Sequence, residues 1–129
     1  RQRQMCIRDS MNIEATILTG PGESLGRRLG PTFDRVLVDV PCSGTGRVWR
    51  GDPRTWGEWS TRAVKRLAKL QRMLLHSGIA ALKPGGTLVY STCSLLEEEN
   101  ESVLKKIPKL RFHGFTLQLS SAICCQISL

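Results

Sequence analysis

The chain has 129 residues, of which 40% are hydrophobic and 23% charged, enough apolar material for one small core and too much for wholesale disorder. Nineteen Lys and Arg against eleven Asp and Glu leave a net charge of +8, which points to a polyanionic partner: RNA, DNA or an anionic membrane surface. No apolar run approaches the ~18 residues that span a bilayer, and residues 1–10 lack the apolar middle of an export signal, so an intracellular protein outside the membrane is expected.

Residues 1–11 are polar and aperiodic, and are read as a tail outside the domain, which is expected over residues 12–108. Within it, Asn12–Leu18 alternates in part and suits a short strand. Gly20-Pro21-Gly22 stops that strand, and the Gly/Arg/Pro stretch through Pro31 reads as loop. Phe33 leads into Arg35–Val40, nearly all apolar and β-branched. A strand apolar on both faces is the mark of a central parallel strand with helices on either side. Pro41 ends it, and residues 42–59 form a long loop with four glycines.

From Ser60 the period changes. Val64, Leu67, Ala68, Gln71, Leu74, Leu75, Gly78, Ile79 and Leu82 recur every three or four residues and predict one buried helical face. Arg62, Lys65, Arg66, Lys69 and Arg72 fall on the other side. Ser60 suits the N-cap, and Lys83-Pro84-Gly85-Gly86 ends the helix. Thr87–Ser91 is a second buried-type strand. Ser94-Leu95-Leu96-Glu97 fits a capping box that opens a short acidic helix, closed by Pro108. Phe112, Phe115, Leu117 and Leu119 suggest one more strand, whereas Ser120–Leu129 carries no readable pattern, so residues 109–129 are set apart as a third segment. The order of elements predicts an α/β fold with a largely parallel sheet.

The five cysteines are Cys6, Cys42, Cys93, Cys124 and Cys125; their odd number, the absence of a C-x-x-C pair and only two histidines argue against a metal site or a disulfide framework. Neither His76 nor His113 is given a catalytic role. Cys42 and Cys93 each lie two residues beyond a predicted strand. In a parallel sheet both strand ends open into one crevice, where ligands of such folds bind, and Asp39 joins them there. A single Cys at a strand end is commonly structural. Two at matching ends, with an Asp, a glycine loop and a Pro-Gly-Gly turn, form a constellation.

Phe33-Asp-Arg-Val-Leu-Val-Asp-Val-Pro-Cys-Ser-Gly-Thr-Gly46, then Leu82-Lys-Pro-Gly-Gly-Thr-Leu-Val-Tyr-Ser-Thr-Cys-Ser94 and Glu98-Glu-Asn-Glu101, resemble the RNA cytosine-5 methyltransferases of the NOL1/NOP2/Sun family. The resemblance runs from about Asn12 to Leu104. It implies a partial Rossmann-like methyltransferase fold, S-adenosylmethionine as cofactor, and methylation of carbon 5 of a cytosine in rRNA or tRNA. In the family's pattern Cys93, of Thr-Cys-Ser, is the nucleophile, and Cys42, of Pro-Cys, serves the release step. Asp39 is implied as a catalytic contact to the cytosine that also borders the cofactor, with Pro41, Ser43 and Gly44 along the substrate. The family's glycine-rich cofactor turn has no counterpart here, so the chain reads as the catalytic half of such a domain, expected to bind the cofactor weakly by itself.

Two features stay open at this level. The basic stripe from Arg62 to Lys83 is either a solvated outer face or a phosphate contact, and Trp49, Trp56 and Trp59 either pack the loop down or stack on bases. A non-catalytic, basic RNA-binding remnant is the alternative to an enzyme.

Overall fold

The computed structural model describes residues 14–57 and 59–107 in full, and the backbone of residues 123–128. Residues 14–19 take no regular structure, so the strand expected at Asn12–Leu18 does not form over its described part; Asn12 and Ile13 lie outside the described residues. Partial alternation is not sufficient for a strand without a partner to complete its hydrogen bonds.

The stretch read as loop contains a helix, α1, Gly22–Leu29. Two glycines one turn apart, poor helix formers in isolation, are what let it form here, because they bring its backbone against the long helix that follows. The Ser77 hydroxyl donates to Gly22 O at 2.6 Å and accepts from Gly26 N at 2.8 Å. A Cβ at Gly26 would collide with the Ser77 carbonyl. Tertiary contact overrides propensity at this helix.

Strand β1 is Phe33–Asp39, one residue shorter at its end than the predicted run to Val40. Helix α2, Thr61–Ala81, is capped by the Ser60 hydroxyl, which accepts from Ala63 N at 3.1 Å. The predicted apolar face is the buried one: Val64, Ala68, Gln71 and Leu75 are buried, and Leu74 and Ile79 pack at the margin of the core. Strand β2, Leu82–Thr92, follows without a loop. It pairs in parallel with β1, from Arg35 opposite Thr87 to Asp39 opposite Ser91. Before that, Asp34 alone faces Lys83, Pro84, Gly85 and Gly86, which bulge out of the ladder.

The predicted acidic helix is broken. A 3-10 turn at Glu97–Glu99 precedes a four-residue helix, α3, Glu101–Leu104. The Asn100 amide donates to Ser94 O at 2.9 Å and Leu96 O at 2.8 Å, which holds the chain in a turn. Ser94 accepts from Leu96 N at 3.2 Å, so it closes a local turn and no capping box forms. Pro108 and the strand expected around Phe112–Leu119 lie outside the described residues.

Strand β3, Ile123–Ser128, falls in the segment that carried no pattern, and pairs antiparallel with β2 from Thr87–Ser128 to Thr92–Ile123. The sheet order is β1-β2-β3. Leu75, Leu88, Tyr90, Val103 and Leu104 are fully buried at its centre. Cover over β1 differs from expectation. Val36 and Val38 pack on the core, whereas Leu37 on the opposite face is 68% exposed, because no described element lies over that side. No helix among the described residues is long and apolar enough to cross a membrane.

Candidate active site at the paired strand ends

The parallel register determines the site. Asp39 stands opposite Ser91, and Val40 N continues the ladder to Ser91 O at 3.1 Å. Both chains then leave the sheet at one level, and each carries a cysteine. The Cys42 and Cys93 sulfurs approach to 2.7 Å, and Cys93 N donates to Cys42 Sγ at 3.2 Å. Both are half-buried free thiols. Burial first, then the hydrogen bond with the Cys93 side chain and its charge, push the Cys42 thiol from 9.0 up to about 11. At neutral pH Cys42 therefore keeps its proton.

The two loops are tied together by groups that pattern-reading passed over. Glu99 is completely buried. Its carboxylate accepts from Ser43 N at 3.0 Å, from the Ser43 hydroxyl, and from Gln71 Nε2 at 3.0 Å. Gln71 Nε2 also donates to Pro41 O at 2.9 Å. The residues on either side of Cys42 are thus clamped from α2 and from the turn after β2. Gln71 was legible as a polar residue inside an apolar stripe, and Glu99 lies within the acidic run that carried the resemblance. Thr45 accepts from Leu95 N at 2.8 Å, and Gly46 N donates to Cys93 O at 3.0 Å. A Cβ at Gly46 would stand 2.9 Å from that oxygen, which explains a glycine there. Gly44, at φ +71°, makes the left-handed turn between them.

Of the predicted site residues, the structure brings Cys42 and Cys93 into contact. Ser43 and Gly44 flank them in the same loop, but the backbone N–H groups of Ser43 and Gly46 serve the protein's own loops. Pro41 and Asp39 are exposed. Asp39 opens onto a different side, at the rim of a largely apolar cavity of about 470 Å³ that includes Leu18, Phe33, Val36 and Leu37. Arg35 lines the same cavity, so its walls offer one carboxylate and one guanidinium beside apolar side chains, which suits a zwitterionic, amphipathic ligand. A second cavity, of about 480 Å³, adjoins Cys42, Ser43 and Gly44 and is walled by Arg47, Trp56, Trp59 and Arg66 among others. Lys65 and Lys69 on α2 point to solvent.

The chain is similar to known proteins over most of its length. Residues 4–120 match the profile of the family described as 16S rRNA methyltransferase RsmB/F. A ribosomal RNA small subunit methyltransferase F of Aeromonas salmonicida is 41% identical over 118 residues, covering 87% of this chain and 24% of the relative. That of Citrobacter koseri is 52% identical over 82 residues, covering 64% of the chain and 17% of the relative. The chain therefore spans less than a quarter of the length of these relatives. Among solved structures, NSun6 from Pyrococcus horikoshii with SFG superimposes with a TM-score of 0.76 at 25% identity, covering 99% of this chain and 38% of the other. A methyltransferase homolog protein of Pyrococcus horikoshii gives 0.69 at 27% identity, covering 98% and 49%. The expected partial Rossmann-like methyltransferase fold is the one observed. A profile match that runs through both cysteine-bearing strand ends, on a sheet shared with these solved proteins, means that the chain belongs to the 16S rRNA methyltransferase RsmB/F family.

Proposed function

We propose that this chain carries the catalytic cysteines of an S-adenosylmethionine-dependent enzyme that methylates carbon 5 of cytosine in RNA. The observation that carries this reading is the 2.7 Å contact between two free thiols at neighbouring strand ends.

Carbon 5 of cytosine is a poor nucleophile. Addition of the Cys93 thiolate to carbon 6 turns the ring into an enamine whose carbon 5 can attack an electrophile, splitting one hard step into easier ones. When bound, S-adenosylmethionine supplies the electrophilic methyl group. The residues present fit one side of such a cofactor: Asp39 would hold its cationic part and Arg35 its carboxylate, beside the apolar surface of Leu18, Phe33 and Leu37. Asp39 would also accept from the exocyclic amine of cytosine and so fix the orientation of the ring as the thiolate adds. Release requires a base for the carbon 5 proton. Two of the causes that raise Cys42 come from the Cys93 side chain, and both vanish once that sulfur is bonded to carbon. Cys42 then loses its own proton to solvent more readily, its thiolate takes the carbon 5 proton, the carbon 5–carbon 6 double bond re-forms, and Cys93 leaves as a thiolate. The net charge of +8 suits an RNA partner.

The test uses a full-length protein with these motifs, incubated with RNA and cofactor. Cys93→Ala is expected to abolish methylation and any covalent complex. Cys42→Ala is expected to accumulate a protein–RNA adduct that survives denaturing electrophoresis, and the double variant to lose it. Accumulation in Cys93→Ala instead would reverse the two roles. Tight RNA binding with no adduct or methylation in any form would favour the non-catalytic alternative.

A further inference from the structure

We infer that the cavity of about 480 Å³ beside Cys42 is a subsite for a second nucleotide, one that flanks the reacting cytosine, with Trp56 or Trp59 stacking on its base and Arg47 and Arg66 at its phosphate. The inference rests on the RNA reading above and deepens it. The volume lies within the range of small-ligand sites, ~300–1,000 Å³. It is not the seat of the reacting ring, because neither Cys93 nor Asp39 is among its walls, while Cys42 is. It therefore opens next to the chemistry without containing it.

The chemistry of the walls selects the occupant. Trp56 and Trp59 remain 48% and 47% exposed although they line a concavity, so they present ring surface to whatever enters. Arg54 is consumed by Asp52, two residues away, in a paired contact at 2.8 Å. Arg47 and Arg66 form no ion pair among the described residues. Aromatic faces beside two unneutralised guanidinium groups match a base joined to a phosphate. The wall is built in advance of any ligand. Asp52 Oδ1 accepts from Arg54 N at 3.1 Å, Thr55 donates to Asp52 O at 2.8 Å, and Trp59 N donates to Trp56 O at 3.1 Å. A preformed wall lowers the ordering cost of binding.

The probes are RNA pentanucleotides on an otherwise abasic backbone, carrying a central cytosine alone or with one neighbouring base, 5′ or 3′. Anisotropy titration of a full-length protein with these motifs is expected to show one neighbour tightening binding by about five- to 150-fold, the range for stacking one base on an aromatic ring. Trp56→Leu with Trp59→Leu is expected to erase that gain, and the Phe replacements to keep part of it. Arg47→Gln and Arg66→Gln are expected to weaken all three probes alike. If neither neighbour strengthens binding to the unmutated protein, or the gain survives the Leu replacements, the subsite is overturned and the RNA reading stands. If a full-length protein with these motifs binds neither these probes nor unmodified RNA, the RNA reading falls and the subsite with it. The comparison of probes on the unmutated protein decides the matter even where a variant does not fold.

Discussion

At the scale of single residues, the two cysteines differ in chemistry although they touch. Because folding raises the Cys42 thiol from 9.0 to about 11, its protonated form favours the fold; that contribution is complete below about pH 9 and is lost as pH rises toward 11. The urea midpoint of the wild type is thus expected to fall over that window more than that of Cys42→Ala. Iodoacetamide labelling of Cys42, followed by mass spectrometry, should rise with pH through about 11. In Cys93→Ala its midpoint should move down, since two raising causes are removed while burial is left opposed by backbone hydrogen bonds from residues 44 and 93; an unmoved midpoint would sever the coupling between the thiols. Glu99 is the second residue of consequence. Its replacement by Ala strands donors on half-buried Ser43 and buried Gln71, with an expected cost of about 1–3 kcal/mol in urea denaturation, the range for a buried donor left without its acceptor. A loss under 0.5 kcal/mol, the ~±0.5 of an ordinary surface change, would remove Glu99 from its place as the clamp of the Cys42 loop.

At the scale of elements, α2 was legible and α1 was not. The α2 signal is local: a stripe of apolar residues at helical spacing, opened by a serine; the helix ends at Ala81, and Lys83-Pro84-Gly85-Gly86, expected to close it, belongs instead to β2. The α1 sequence has two more glycines than a stable helix tolerates alone, and its reason to exist is the Ser77 hydroxyl on another element. Gly26→Ala is expected to destabilise the chain by about 1–3 kcal/mol through overpacking, with no change in the urea m-value. Alanine is otherwise the better helix former by ~1 kcal/mol, so a stabilised variant would contradict the packing described. The broken acidic helix has a similar origin. Glu97–Leu104 has the composition of a helix, but Asn100 and Glu99 are used to tie the loops, and helical geometry gives way to those bonds.

At the scale of the whole molecule, positive charge is unevenly assigned. Lys65 and Lys69 face solvent, whereas Arg66, one residue along, lines the cavity beside Cys42. RNA affinity should fall linearly with the logarithm of salt concentration, and Arg66→Gln should flatten that slope by about 0.7, the value for one phosphate contact on a single strand. Lys65→Gln with Lys69→Gln should change the slope less than this one substitution. A larger effect from the lysines would make the outer face of α2 the phosphate contact.

What the sequence determined by itself is whatever local patterning encodes: two strands of apolar, β-branched residues, the long amphipathic helix, and a cysteine two residues beyond each strand. Parallel pairing then follows, and with it the placement of Cys42 and Cys93 at one edge. Only the tertiary structure decided the rest. Strand β3 exists because β2 has an edge to offer, α1 because Ser77 bridges its backbone, and the exposed face of Leu37 because no described element covers it. The separation of Asp39 from the cavity beside Cys42 is of the same kind. Residues three apart in sequence leave a strand end in different directions, and no periodicity records which side of a sheet a loop will wall off.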